Sequence, residues 1–162
     1  PHHPSSAASD VYKRQAQADA DFNGYEFEVG RSFSTNNGEL QISYGREEVV
    51  GTFSSGGNVP RITPIKNVYR FALEQRDVTY DIKIMDVQKE DDIGFGESVT
   101  DGYTMVDFDI RRSIAIGSDE ELVLSVFGRN LMDEKARNHT SFVKNEVPLA
   151  GRNFGIKLNF NF

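Results

Sequence analysis

From Asp21 to Phe162, apolar and polar side chains alternate along the chain in seven separate runs. A period of two places successive side chains on opposite faces of a β-strand, so each run predicts a strand with one apolar and one polar face. No segment shows the period of about 3.6 residues that an amphipathic helix requires. The apolar positions of the seven runs are Tyr25, Phe27, Val29 and Phe33; Leu40, Ile42 and Tyr44; Tyr69, Phe71 and Leu73; Tyr80, Ile82 and Ile84; Val106, Phe108 and Ile110; Leu122, Leu124 and Val126; and Phe154, Ile156, Leu158, Phe160 and Phe162.

The connections between these runs alternate between short and long. The short connections are residues 34–38, 75–77 and 117–120, and the long ones are residues 54–66, 86–102 and 131–151. Tight turns at one end of the strands and long loops at the other are typical of an outer-membrane barrel. A soluble β-sandwich has no physical reason to sort its connections in this way. The pattern therefore favours an all-β, antiparallel up-and-down meander of about seven strands.

Composition narrows the possible functions. Val, Ile and Phe together far outnumber Leu, which favours strands. A net charge of −7 argues against a nucleic-acid partner. The sequence contains no Cys, which excludes disulfides, a thiol nucleophile and a Cys-type zinc site. No constellation of residues suggests catalysis, so we expect neither an enzyme nor a bound cofactor or metal.

The first fifteen residues follow neither period. Residues 1–15 have no apolar core of the kind that a signal peptide carries, and residues 5–15 resemble the translated adaptor sequence seen at the ends of shotgun reading frames. The alternative is a disordered linker. We therefore treat residues 1–15 as a non-native or disordered segment and residues 16–162 as the folded part.

Two sets of motifs near the carboxyl end resemble one known family. The last strand, with Phe154, Ile156, Leu158, Phe160 and Phe162 on one face, resembles the signal by which bacterial outer-membrane proteins are recognised for insertion. Residues 127–134 (FGRNLMDE), 136–142 (ARNHTSF) and 147–154 (VPLAGRNF) resemble the end of TonB-dependent receptors. The amino-acid sequences of these motifs, together with residues 58–64 (NVPRITP), are most similar to those of the branch that includes zinc- and haem-uptake receptors.

This resemblance implies a place for the chain in a larger protein. Residues 16–162 would be the C-terminal portion of a transmembrane barrel of about 22 strands, embedded in outer-membrane lipid and inserted by the barrel-assembly machinery. The parent would take up a scarce nutrient, namely a metal ion, haem or a siderophore, and would couple to the TonB complex through a plug domain that this chain lacks. The long connections would be extracellular. The alternative hypothesis is a soluble β-sandwich that binds a ligand such as a carbohydrate.

Five residues of the long connections are candidates for contact with a ligand: His139, Arg137, Arg61, Glu97 and Asp101. His139 is the only His outside the first fifteen residues, and one His is too few for a metal site. Arginines beside Pro- and Gly-containing turns could bind an anion. Each candidate also has a structural interpretation: His139 could hydrogen-bond a neighbouring connection, the acidic residues could form a solvated surface, and the arginines could pair with carboxylates.

Overall fold

The computed structural model describes residues 18–118 and 120–162. These residues form one antiparallel sheet in which seven strands lie side by side in chain order. The predicted up-and-down meander of seven strands is therefore confirmed. The strands are β1 (Ala20–Thr35), β2 (Gly38–Phe53), β3 (Lys66–Gln75), β4 (Val78–Val87), β5 (Tyr103–Ala115), β6 (Glu121–Arg129) and β7 (Asn153–Asn161).

The connections are sorted by length as the sequence predicts. At one end of the sheet, Asn36–Asn37 and Arg76–Asp77 join neighbouring strands as two-residue turns, and residues 116–120 join β5 to β6. At the other end lie residues 54–65, 88–102 and 130–152. The predicted limits of the long connections were wrong by one or two residues, because Lys66 pairs with Val87 and Asn67 with Asp86 in the ladder between β3 and β4.

Cross-strand pairing gathers the apolar side chains of all seven strands on one face. One row runs from Arg31 through Ile42, Phe71 and Ile82 to Phe108, each residue paired directly with the next. Arg31, on the edge strand β1, is the charged member of this row. Directly paired residues of an antiparallel ladder point to the same side of the sheet. The register therefore makes one continuous surface of the predicted apolar positions, which we call the apolar face. The opposite surface is the polar face.

The sheet is a single layer with almost no apolar core. Within the described residues, only Val87 and Ala136 are buried among the apolar side chains. Ile82 is 45% exposed and Ile156 is 72% exposed. A sandwich would cover one face with a second sheet, and no second sheet occurs in residues 18–118 and 120–162.

The sheet is also open, because β1 and β7 each have a neighbour on one side only. Its place in a larger barrel therefore stays a prediction. Residues 18–118 and 120–162 contain no helix that could span a membrane. The segment predicted to be non-native or disordered, residues 1–15, lies outside the described residues.

Candidate functional site

The three long connections pack against one another at one end of the sheet. We call residues 54–65, 88–102 and 130–152 together the cap. Backbone approaches backbone where Gly94 meets Pro60, since a Cβ on Gly94 would lie 2.6 Å from the Pro60 nitrogen. Only glycine fits at such a close approach. The first and second connections therefore touch at a point where no side chain can be inserted.

Glu97 ties the first connection to the second. Its Oε1 accepts a hydrogen bond from the Arg61 backbone nitrogen at 2.8 Å, and its Oε2 accepts one from the Gly94 nitrogen at 2.9 Å. Arg61 has a φ of 65°, which is uncommon for a residue with a side chain. Its guanidinium carbon lies 3.1 Å from the ring centroid of Phe142, so the third connection joins the same contact.

His139 is the centre of a buried polar cluster between the second and third connections. Its Nδ1 lies 2.9 Å from the Thr100 hydroxyl and 3.1 Å from the Lys144 ammonium, and its Nε2 lies 3.5 Å from Glu97 Oε1. The residues Thr100, His139 and Lys144 are 4%, 3% and 6% exposed. Polar side chains this deeply buried need partners, and here each finds them on another connection or within the cluster.

Lys144 uses its ammonium to join two connections. It donates hydrogen bonds to the Ser98 carbonyl and, at 2.9 Å, to the Thr100 hydroxyl. Thr100 is held in place by the backbone, because it exchanges two hydrogen bonds with Glu90 across the base of the second connection. The guanidinium of Arg137 donates to the Lys144 carbonyl and so supports this part of the third connection.

Burial and neighbouring cations govern the titration of His139. Burial lowers the pKa of His139 below its ordinary value of 6.5. The Lys144 ammonium lowers this pKa further and Glu97 opposes the shift, while Arg61 adds a smaller lowering effect. Both effects favour the neutral imidazole. In the second connection, burial raises the pKa of Glu90; the hydrogen bond from the Asp92 backbone nitrogen opposes this shift, and the charges of Asp92, Asp91 and Glu97 add to it.

The start of the third connection is fixed by Asn130 and Asp133, which belong to the receptor-like motif at residues 127–134. Asn130 is 3% exposed and donates to the carbonyls of Glu134 and Ala150, while its own Oδ1 accepts from the Glu134 nitrogen. Asp133 accepts a hydrogen bond from the Arg152 nitrogen at 2.9 Å. Both motif residues therefore join the start of this connection to its end, which gives the motif a structural role.

The structure brings together four of the five predicted ligand residues. His139, Glu97 and the Arg61 backbone belong to the buried cluster, and Arg137 contacts it through Lys144. Asp101 is exposed and lies outside the cluster. Lys144 was missed, because a Lys in an aperiodic segment carries no sequence signal of burial. Contact of these residues with a ligand stays a prediction, and the geometry gives each of the four a structural role.

The polar face carries a groove that is lined by residues of β1, β2, β3 and β4. It has a volume of about 340 Å³, and its charged lining residues are Glu26, Glu28, Arg46, Glu47, Lys66, Arg70 and Lys83. Lys66 pairs with Glu47, and Arg70 lies 3.3 Å from Asp81. The Arg70 and Asp81 side chains are 58% and 25% exposed, so this pair contributes little to stability. Among the described residues no three His, Asp or Glu side chains are grouped as a metal site would need.

Comparison with solved structures identifies a similar fold. The chain is similar to the copper transporter OprC, with a TM-score of 0.70 and 21% sequence identity over 90% of this chain. It spans 24% of the length of that protein. The likeness agrees with an all-β antiparallel meander that forms part of a larger structure in its neighbour. No protein-family model and no curated protein matches the sequence.

Proposed function

We propose that this chain is a segment of the barrel wall of a TonB-dependent receptor in the bacterial outer membrane. The parent protein takes up a scarce nutrient, and this segment supplies seven strands and three extracellular connections. The apolar face contacts lipid, the polar face lines the lumen, and the cap meets incoming ligand. The segment performs no chemistry of its own.

The apolar face is the observation that carries this proposal. It extends across all seven strands, and its exposed members include Phe27, Phe71, Ile82 and Ile156. Contiguous exposed apolar patches of monomeric soluble proteins rarely exceed a few hundred Å². Hydrocarbon would cover this face without any second protein layer. Lipid contact therefore accounts for a sheet that has a patterned apolar face and, among the described residues, almost no apolar core.

The upper border of the apolar face supports the same orientation. Towards the cap, the rings of Phe27, Tyr44 and Tyr69 follow one another, with centroids 5.7 and 5.0 Å apart. Above them on the same face, Asn67 accepts a hydrogen bond from the Tyr44 hydroxyl and donates one to Asp86. An aromatic girdle followed by polar side chains is the expected sequence at a membrane–water interface.

The height of the apolar band also suits a membrane. On β4 the band lies between Val78 and Asp86, which are eight residues apart along the strand. At about 3.3 Å per residue and a tilt of about 40°, this span corresponds to roughly 20 Å along the membrane normal. The apolar band of outer-membrane barrels is about 25 Å tall, so a strand of this kind crosses most of it.

The nutrient is proposed as a metal ion, haem or a siderophore. The name of the similar structure, a copper transporter, supports uptake of this general kind. The resemblance of the last connection to zinc- and haem-uptake receptors is the finer part of the proposal. We also propose that the parent protein couples to the TonB complex through a plug domain and that the barrel-assembly machinery inserts it into the outer membrane.

Site-directed labelling in intact cells tests this orientation. The chain contains no Cys, so single cysteines can be introduced at Ser55 in the cap and at Asn37 in a two-residue turn. The intact protein is expressed in a Gram-negative host and treated with a membrane-impermeant maleimide, with the unsubstituted protein as control. We expect Ser55→Cys to react in whole cells and Asn37→Cys to react only after the cells are broken. Reaction of both in whole cells would contradict the proposal.

A further inference from the structure

The cap contains a buried titratable group whose hydrogen bonds join its connections. His139 lies on residues 130–152, and its side chain faces Glu97 and Thr100 of residues 88–102. Glu97 in turn binds the Arg61 nitrogen of residues 54–65. All three connections therefore meet within one hydrogen bond of the His139–Glu97 contact. A change in the charge of His139 therefore acts at a point where all three connections meet.

The neighbours of His139 fix its tautomer. The Lys144 ammonium has three donors and no acceptor, and it has three nearby acceptors: the Ser98 carbonyl, the Thr100 hydroxyl and His139 Nδ1. Nδ1 must therefore offer its lone pair, and the ring proton lies on Nε2. Nε2 is the nitrogen that lies 3.5 Å from Glu97 Oε1.

Adding a proton to His139 reverses one of these interactions. The new N–H on Nδ1 would face the Lys144 ammonium at 3.1 Å, where two donors and two positive charges would meet. Among the described residues, Glu97 is the one carboxylate that faces the ring, and its two oxygens already accept backbone hydrogen bonds from Arg61 and Gly94. The charged groups around His139 are thus Lys144, Glu97 and Arg61.

We propose that neutral His139 latches the three connections into one cap, and that a proton on its Nδ1 releases the latch. The inference goes beyond the proposed function and holds whether or not the parent is a receptor. In a receptor, release would free the extracellular connections in acidic surroundings and keep them joined at neutral pH.

The direction of the pH dependence follows from linkage. The pKa of His139 is lowered in the closed cap, so an open cap binds the proton more tightly. The stability that the latch contributes is therefore present above the ordinary pKa of 6.5 and is lost as the pH falls from there towards the lowered pKa of the closed cap.

Distance measurements between two spin labels test the release. Phe95 is fully exposed on the second connection and Val147 is 60% exposed on the third, so cysteines at both positions can carry labels without disturbing the cluster. The intact protein in detergent is measured from about pH 8 down to about pH 5. We expect one narrow peak in the distance distribution at about pH 8, and loss of that peak below about pH 6.5. A narrow peak that persists to the lower end would overturn the proposal.

Two variants and one direct titration identify the responsible group. His139→Gln removes the titratable ring and should abolish the pH response of the distance distribution, whether its cap is closed or open. Glu146→Gln, which removes an exposed ionisable group of the same connection, should leave the response unchanged. A response that persists in His139→Gln would overturn the proposal.

The titration follows the His139 ring signal of the parent protein by NMR, assigned by its loss in His139→Gln. We expect a midpoint below 6.5 that coincides with the loss of the narrow peak. A midpoint at or above 6.5 would contradict the latch, since it would show that the closed cap does not disfavour the proton.

Discussion

A charge placed in the middle of the apolar face tests what that face contacts. Ile82 lies at mid-height on β4, between Tyr80 and Ile84 along the strand and between Phe71 and Phe108 across the sheet. Its side chain is 45% exposed, so an Arg at this position has room and creates no cavity. Ile82→Arg therefore changes the medium around the position more than it changes the packing.

The size of the effect separates the two possible environments. Surface substitutions in water usually change the free energy of unfolding by no more than about 0.5 kcal/mol. On the lipid face of a barrel near the bilayer midplane, an Arg costs about 2–4 kcal/mol. At 1.36 kcal/mol per factor of ten, this cost corresponds to roughly a 30- to 900-fold change in the folding equilibrium.

Folding of the intact protein into lipid vesicles measures this difference. Urea titrations of the unsubstituted protein and of Ile82→Arg give the two free energies of unfolding. The matched control is Gln41→Arg, because Gln41 is exposed on the polar face and pairs with Ala72 in the row next to that of Ile82. We expect Gln41→Arg to lie within about 0.5 kcal/mol of the parent.

Two outcomes would refute the reasoning. If Ile82→Arg inserts and unfolds like the parent, the apolar face does not lie against hydrocarbon. If Gln41→Arg is as costly as Ile82→Arg, the cost comes from β-sheet pairing and reports nothing about the two faces.

Two further predictions concern the cap, and both are read from urea unfolding and from protease cleavage of its connections. Asn130→Ala removes three side-chain hydrogen bonds at a residue whose φ is 50°, so we expect the free energy of unfolding to fall by about 2–4 kcal/mol. Asn130→Gly should lower it less, because Gly suits that φ. Equal losses in the two variants would refute the part of the effect that is assigned to φ. Gly94→Ala forces a Cβ against the Pro60 backbone and should lower the free energy of unfolding by about 1–3 kcal/mol. In the control Gly45→Ala, the new Cβ meets its nearest atom at 3.5 Å, so this substitution should cost less. The reverse order would contradict the packing of the cap.

The strands were predictable because a period of two is a local property of the sequence. Ile82 and Lys83 are neighbours in the chain, yet they fall on opposite faces of β4, as their polarity indicates. The same alternation fixes the register, since a slip of one residue would turn every apolar side chain of a strand to the polar face. The pairing of β1 with β2, of β3 with β4 and of β5 with β6 also followed, because a short turn joins neighbouring antiparallel strands.

The arrangement of the cap was less accessible to sequence reasoning. His139 drew attention as an isolated His, and hydrogen bonding to a neighbouring connection was already one of its two interpretations. The sequence did not indicate a role for Lys144, because its burial depends on the Ser98 carbonyl and the Thr100 hydroxyl, which lie more than forty residues away in the chain. Contacts between aperiodic segments follow from the fold and leave no regular pattern in the sequence.

The ends of the strands set a second limit on what could be predicted from the sequence. Lys66 and Asp86 were predicted to lie in connections, and both belong to strands. Near the cap the strands extend beyond the apolar band, where polar side chains on both faces are tolerated. Hydropathy marks the height of the band, whereas backbone pairing marks the ends of the strands, and the two limits need not coincide.

The central claim is that the apolar face contacts lipid and the polar face contacts water. The most direct test places single spin labels at Ile82 and at Lys83 of the intact protein in lipid vesicles, since the chain has no Cys of its own. We expect the label at Ile82 to be reached by oxygen, which concentrates in hydrocarbon, and the label at Lys83 to be reached by a water-soluble nickel chelate. If the nickel chelate reaches both labels equally, neither face lies in the membrane and the claim is wrong.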